Sequence, residues 1–146
     1  MLNKFERYNN FAKRSIYSEI EEGNFHNGLI EHVTNRYLKN LNKDVKILDV
    51  GCGPGVFMDF AKKLGFTNIA GVTLGEEDVQ KCREKGHIVI EADISDVPLD
   101  NESQDLIWSR HSLEHSPYPL FTLLEYNRLL KMNGLLYVEV PAPDID

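Results

Sequence analysis

The sequence predicts an α/β fold, a mostly parallel sheet with helices on both faces, and three observations carry that reading. From residue 45 onward, apolar runs of strand length alternate with stretches whose apolar residues recur every three or four positions. The first run, Val45 to Val50, stops at Gly51, Gly53 and Gly55, the punctuation expected where a first parallel strand turns into its crossover helix. The chain of 146 residues, 42% hydrophobic and 27% charged, is long and apolar enough to bury one core unaided, and a second domain of independent size is not expected.

Residues 1–40 read as an N-terminal helical arm and residues 41–146 as the core. In the arm, Phe5, Tyr8, Phe11 and Ala12 recur at helical spacing, and so do Leu29, His32, Val33, Arg36 and Tyr37 with Leu38. Glu21 to Asn24 separates the two sets, and Gly28 is the expected start of the second helix. Val45 to Val50 is the first strand. Val56 to Leu64 follows as a helix with Val56, Phe57, Phe60, Ala61 and Leu64 on one stripe, closed by Gly65.

Asn68 to Val72 reads as the second strand, and Glu76 to Lys85 as a helix with Val79 and Cys82 inward and Gly86 as its stop. His87 to Glu91 is the third strand. Residues 92–104 hold a turn or two of helix at most. Asp105 to Ser109 is the fourth strand, and a helix from Pro119 to Lys131 carries Leu120, Leu123, Leu124, Tyr126 and Leu130. Asn133-Gly134 ends it before a fifth strand, Leu135 to Val140.

Charge and cysteine usage narrow the function classes. Sixteen Lys plus Arg against 23 Asp plus Glu give a net charge of -7, a field that repels phosphate backbones, so no nucleic-acid partner is expected. Lys4, Arg7, Lys13 and Arg14 cluster near the start and read as a solvated helix face. The two cysteines, Cys52 and Cys82, lie in no paired pattern, which fits a reducing compartment. No run approaches the roughly 20 apolar residues of a membrane span, and the first 25 residues are too charged for a signal peptide. The expected location is the cytoplasm, away from membranes. Five scattered histidines show no metal-ligand spacing, and no metal is expected.

The strongest signal is Leu48-Asp49-Val50-Gly51-Cys52-Gly53-Pro54-Gly55. In a doubly wound sheet this loop opens the ligand crevice, and glycines let the backbone approach what binds there. Pro54 suits a helix start, where its missing N–H would have had no partner. The dinucleotide pattern Gly-x-Gly-x-x-Gly fails because its third glycine falls on Val56. A phosphate-binding P-loop fails because no Gly-Lys-Ser/Thr follows.

The run Ile47 to Phe57, together with Asp105-Leu106-Ile107 and the later Leu113-Glu114-His115, resembles the class I methyltransferases that use S-adenosylmethionine (SAM), of the small-molecule type with a Leu-Glu-His signature (methyltransferase type 11-like). The resemblance spans roughly residues 45–141. It implies a Rossmann-like three-layer sandwich, SAM as methyl donor and S-adenosylhomocysteine as product. In that family the glycine loop cradles the aminocarboxypropyl end of SAM and the preceding acid helps hold its amino group; Asp49, Gly51, Cys52, Gly53 and Gly55 match. The second strand ends in Gly71-Val72-Thr73-Leu74-Gly75 where many members carry an acid for the ribose hydroxyls. Thr73 makes weaker, neutral hydrogen bonds. The stretch resembles a Thr-Leu-Ser variant seen in cyclopropane-fatty-acid-synthase-like members, with a polar residue five positions later, here Asp78. The alternative for Asp78 is a surface charge in the first turn of a helix.

By the same resemblance, Asp93 accepts from the adenine amino group and the Ile94 N–H donates to the ring; a turn-capping role for Asp93 is the alternative. The Ser109 or Arg110 carbonyl receives the methionine ammonium, Leu113 packs near the adenine or the adjoining helix, and His115 is structural. His111 leaves the fourth strand on the ligand side and is the candidate general base; packing or capping the next helix is its other reading. Arg110 either pairs with an acidic substrate or Glu139 or stays exposed. The resemblance also implies that Tyr17, Phe25 and His26 in the arm close over the cofactor.

Family members have seven strands, so the resemblance implies a sheet cut short after the fifth. The expectation is a fragment, or a chain whose fifth-strand edge, rich in Leu, Tyr and Val, is covered by a second copy or a partner subunit. A small-molecule acceptor is expected. The competing readings are a SAM-binding protein without transferase activity, acting as a regulator or partner subunit, and a nicotinamide-dependent oxidoreductase, disfavoured by the glycine spacing and Thr73.

Overall fold

A computed structural model describes residues 6–7 and 24–141. In chain order the elements are α1 (Asn24–Leu38), β1 (Ile47–Val50), α2 (Val56–Lys63), β2 (Ile69–Thr73), α3 (Glu76–Glu84), β3 (Ile88–Glu91), β4 (Gln104–Arg110), a 3-10 turn (Leu113–His115), α4 (Pro119–Leu129) and β5 (Leu130–Glu139). The five strands form one sheet in the order β3-β2-β1-β4-β5, all neighbours parallel. The order reverses at β1, because the chain builds outward through β2 and β3 and then crosses back to place β4 on the other side. That reversal opens a crevice at the carboxyl ends of β1 and β4, the usual place for a ligand in such sheets.

Residues alternate across the sheet because side chains along a strand point to opposite faces. Ile47, Ile69, Leu106 and Trp108 meet Leu38 of α1, Phe57, Met58 and Ala61 of α2, and Cys82 of α3 on one face. Leu48, Val50, Val72 and Ile107 meet Ile94, Val97, and Tyr126 and Leu129 of α4 on the other. The result is a three-layer α/β sandwich. On the first face Trp108 is stacked between Phe57 and Tyr137, with ring centroids 4.4 and 3.8 Å away.

Several element boundaries differ from the sequence expectation. α1 runs through Gly28 instead of starting there. The buried face of α2 passes through Met58 as well as Phe57 and Ala61, while Val56, Phe60 and Leu64 are half-buried, so the helix is rotated toward Met58. In α4 the buried residues are Thr122, Tyr126 and Leu129, whereas Leu120 and Leu124 face outward. That helix stops at Leu129 because the chain entering β4 captures its last carbonyls: the Glu102 N–H donates to Arg128 O and the Ser103 N–H to Leu129 O. Leu130 therefore already pairs with Gln104, and Leu135 with Leu106. Asn133 takes a left-handed conformation, φ 63°, in the bulge between those two pairs. Residues 92–103 contain turns and no regular helix.

The predicted helix around Phe5 to Ala12 and the basic cluster lie outside the described residues, apart from the helical pair Glu6 and Arg7. Tyr17 and the side chains of Phe25 and His26 lie outside them too. No helix among the described residues is long and apolar enough to cross a membrane.

Candidate functional site

The site is built from the ends of β1, β2, β3 and β4, which lie on one edge of the sheet. At the end of β1 the chain turns through Gly51, Gly53 and Gly55, with φ of 76°, 50° and 82°. The Gly51 and Cys52 N–H groups both donate to Val72 O, at 2.8 and 3.0 Å, which pulls the loop down onto β2. Gly71 makes room for that approach, since a Cβ there would stand 2.6 Å from the Cys52 sulfur. A Cβ on Gly51 would stand 2.4 Å from the Ser112 Cβ, so the glycine loop and the turn leaving β4 touch.

Asp49, in β1, is 3% exposed, and its Oδ2 has no hydrogen-bond partner. Burial, and then the nearby Cys82 sulfur, push its carboxyl well above the usual carboxylate range. A buried carboxylate oxygen without a donor is costly unless something cationic or hydrogen-bonding arrives. Among the described residues, three further polar atoms are buried without a hydrogen bond, His87 Nδ1, Trp108 Nε1 and Arg110 Nε, although the last lies 3.1 Å from Glu139 Oε1 as an ion pair.

At the end of β2, Thr73 Oγ1 accepts from the Gly75 N–H at 3.3 Å, and the Asp78 carboxylate folds back over Gly75, whose Cβ would meet Asp78 Oδ2 at 3.0 Å. Leu74 is buried between them in sequence. The Thr73 carbonyl accepts from the Ala92 N–H and so ties this end to the exit of β3. There Asp93 and Ile94 are both buried. Asp93 Oδ1 accepts from the Ser95 N–H at 2.8 Å and the Ser95 hydroxyl at 2.5 Å, a turn held by its own side chain.

Ser109 and Arg110 end β4. Ser109 is fully buried, and its hydroxyl lies 2.9 Å from Ser112 Oγ and 3.3 Å from the Tyr126 hydroxyl. Arg110 is only 13% exposed along its side chain and pairs with Glu139, so of the two readings the buried pair holds and the exposed one does not. His111 has φ 49°, a left-handed backbone unusual for a histidine. Its Nε2 lies 3.2 Å from Glu139 Oε1 and its Nδ1 3.6 Å from Glu114 Oε1. Tyr137 donates its hydroxyl to Glu139 Oε2 at 2.5 Å. Burial opposes ionisation of Glu139, but Tyr137, Arg110 and His111 outweigh it and hold the carboxyl below the usual range. Leu113 packs against the core beneath α4, and the exposed His115 lies 4.0 Å from Glu114.

The underside of the glycine loop carries residues that the sequence pattern did not single out. Lys85 Nζ donates to Pro54 O at 2.9 Å and pairs with Asp59 Oδ2 at 3.0 Å, and His87 Nε2 lies 2.6 Å from Asp59 Oδ1. Ser112 meets the loop at Gly51 from the β4 side. Each of these contacts joins residues far apart in sequence, and the only prior signal was the serine next to the Leu-Glu-His run. A shallow cleft lined by His32, Asn35, Arg36, Lys39 and Asn40 contains none of the strand-end residues.

The sequence profile of the methyltransferase-domain family matches residues 48–138. The chain is 35% identical over 105 residues to the sarcosine/dimethylglycine N-methyltransferase of Halorhodospira halochloris, covering 66% of this chain and 37% of that protein. It is 26% identical over 113 residues to the 27-O-demethylrifamycin SV methyltransferase of Amycolatopsis mediterranei, covering 67% and 40%. Among solved structures, a SAM-dependent methyltransferase from Archaeoglobus fulgidus superposes with a TM-score of 0.70 at 26% identity, covering 93% of this chain and 59% of that one. The chain thus spans about two-fifths of the length of these curated relatives. The match takes in the glycine loop, the carboxyl ends of β1 to β4 and the turn after β4; this chain belongs to the methyltransferase-domain family.

Proposed function

We propose that the chain is the cofactor-binding part of a SAM-dependent methyltransferase that acts on a small-molecule acceptor. The observation that carries the reading is Asp49, a buried carboxylate with an unpartnered oxygen beneath a glycine loop at the sheet's reversal point. An ammonium group supplies what that oxygen lacks. The names of the relatives include O-, N- and C-methyltransferases of small molecules, which supports a small-molecule acceptor and leaves the atom open.

The residues present fit SAM. Asp49 faces the amino group, with the Ser109 or Arg110 carbonyl as its second acceptor. Gly51, Cys52, Gly53 and Gly55 bring backbone close to the aminocarboxypropyl chain. Thr73 accepts from Gly75, which leaves its own hydroxyl hydrogen for a ribose oxygen, and Asp78 stands beside it. Asp93 commits Oδ1 to Ser95, so Oδ2 is the oxygen for an adenine amino group, with the Ile94 N–H donating to the ring and Leu74 beside it. When bound, SAM supplies a methyl group activated by a positive sulfonium, and S-adenosylhomocysteine leaves without needing an acid.

What remains for the protein is to align an acceptor, exclude water and, for a hydroxyl acceptor, take a proton. His111 fills the last role. Its Nε2 lies 3.2 Å from Oε1 of Glu139, a carboxylate held by Tyr137 and Arg110, and that ion pair orients the ring. Glu114 stands 3.6 Å from Nδ1, beyond hydrogen-bond distance, so Nδ1 is the nitrogen that receives the proton.

The test is release of S-adenosylhomocysteine from SAM in the presence of a panel of small amines and hydroxyl compounds. Release above the no-acceptor control supports the reading. Tight cofactor binding with no release on any acceptor contradicts the transferase part of it and favours a SAM-binding regulator.

A further inference from the structure

Cys52 and Cys82 come from different elements, the glycine loop and the last turn of α3, yet their sulfurs converge on one atom. The Gly53 carbonyl accepts from Cys52 Sγ at 3.5 Å and from Cys82 Sγ at 3.3 Å. Both residues are free thiols, 7% and 0% exposed. Their surroundings are close on all sides. A Cβ on Gly71 would stand 2.6 Å from the Cys52 sulfur, and one on Gly55 would stand 3.1 Å from the Cys82 sulfur. The pair is therefore wedged between the loop, β2 and α3.

We propose that Cys52 and Cys82 form a peroxide-sensitive thiol pair whose disulfide removes the glycine loop's capacity to hold an adenosyl ligand. This rests on the SAM reading of the loop for its consequence, while the coupling of the two thiols stands on the geometry alone. Closing the S–S bond withdraws both sulfurs from the Gly53 carbonyl and draws Cys52 toward α3. The Gly51 and Cys52 N–H groups are anchored on Val72 O and Gly51 is in contact with Ser112, so the loop cannot follow without losing those contacts.

The chemistry balances with a hydroperoxide as the oxidant. The Cys82 thiol gives up its proton and the thiolate attacks a peroxide oxygen; the O–O bond breaks, and the departing hydroxide takes up that proton, so that hydrogen peroxide leaves a sulfenic acid and one water. The Cys52 sulfur then attacks the Cys82 sulfur, hydroxide leaves, and it takes the Cys52 proton to give a second water. Two thiols are oxidised and one peroxide is reduced. The order follows from the environment: a hydrogen bond from Cys52 lowers the Cys82 thiol below its ordinary range, against the effect of burial, while that same contact and burial push Cys52 up.

The experiment treats the chain with hydrogen peroxide, blocks residual thiols, and reads two quantities: the Cys52–Cys82 cross-linked peptide by mass spectrometry and S-adenosylhomocysteine affinity by calorimetry. The expected result is the cross-link with affinity weakened by about tenfold or more, and recovery of both on reduction with dithiothreitol. Cys82→Ser is expected to show the same affinity before and after peroxide. Absence of the cross-link overturns the proposal, and so does a cross-linked protein that binds as tightly as the reduced one. Reduced protein that does not bind S-adenosylhomocysteine at all would instead overturn the SAM reading and, with it, the consequence proposed here, while the mass measurement still decides the coupling.

Discussion

The Cβ that Gly51 lacks would sit 2.4 Å from the Cβ of Ser112, so the loop after β1 and the turn after β4 are packed at a separation only glycine permits. Gly51 also has φ 76°, which an L side chain adopts at a cost. Both effects act against any substitution there. Gly51→Ala is expected to destabilise the fold by about 2 kcal/mol or more, read by denaturant unfolding, and to lose S-adenosylhomocysteine binding. Gly53→Val, in a buried turn with φ 50°, is expected to abolish that binding as well. Unchanged calorimetric affinity in either variant would remove the glycine loop from the site.

Asp49 puts stability and ligand binding in opposition. Its folded carboxyl is raised by burial, so the stability it contributes is present below its unfolded range and is lost as pH rises through the folded value. At neutral pH the free protein carries that cost. Asp49→Asn is expected to raise the thermal midpoint of the ligand-free protein while weakening S-adenosylhomocysteine by about tenfold or more. A variant that gains no stability, or that binds as before, would show that Asp49 has a partner that the free structure does not.

Replacing His111 separates chemistry from cofactor binding. His111→Ala is expected to slow transfer to a hydroxyl acceptor about a hundredfold without changing S-adenosylhomocysteine affinity. Because His111 sits at φ 49°, His111→Asn is the better-tolerated control, and its rate should fall equally. Glu139→Gln is expected to slow the same transfer, since it removes the carboxylate 3.2 Å from Nε2 that orients the ring. Rates equal to the unaltered protein would assign His111 to packing.

Tyr126 gives an alkaline signature. Burial pushes its hydroxyl from 10.0 up to about 12, against the hydrogen bonds from Ser109 and Ser112. A raised folded value means stability that is complete below pH 10 and lost as pH rises from there toward 12. Unfolding midpoints measured from pH 9 upward should therefore fall, and Tyr126→Phe should flatten part of that fall while costing about 1 kcal/mol at neutral pH for the lost hydroxyl contact. An identical pH dependence in both proteins would show that this hydroxyl is not buried as described.

The parts of the fold written in local pattern were legible in the sequence. Ile47 to Val50 followed by three glycines, and Pro119 at the first position of α4, mark where elements end and begin. The family resemblance named the strand ends that the structure brings to one edge. The start of β5 was not legible, because Leu130 is drawn into the sheet by Gln104 while Asn133-Gly134, which reads as a helix stop, forms a bulge inside the strand. Nor were the supports of the loop: Lys85 on Pro54, His87 on Asp59, and Ser112 beside Gly51 are contacts between distant residues with no periodic trace. The apolar letters of α4 also misled, since Leu120 and Leu124 face outward while Thr122 is buried against Ser116.

The central claim is that Asp49 and the glycine loop form a site for an adenosyl amino acid, and calorimetric titration of the chain with S-adenosylhomocysteine, with NAD as the control ligand, tests it most directly. Saturable binding of the former, absent for NAD and weakened in Asp49→Asn, is the expected result. Binding of NAD, or of neither ligand by a folded chain, would contradict it.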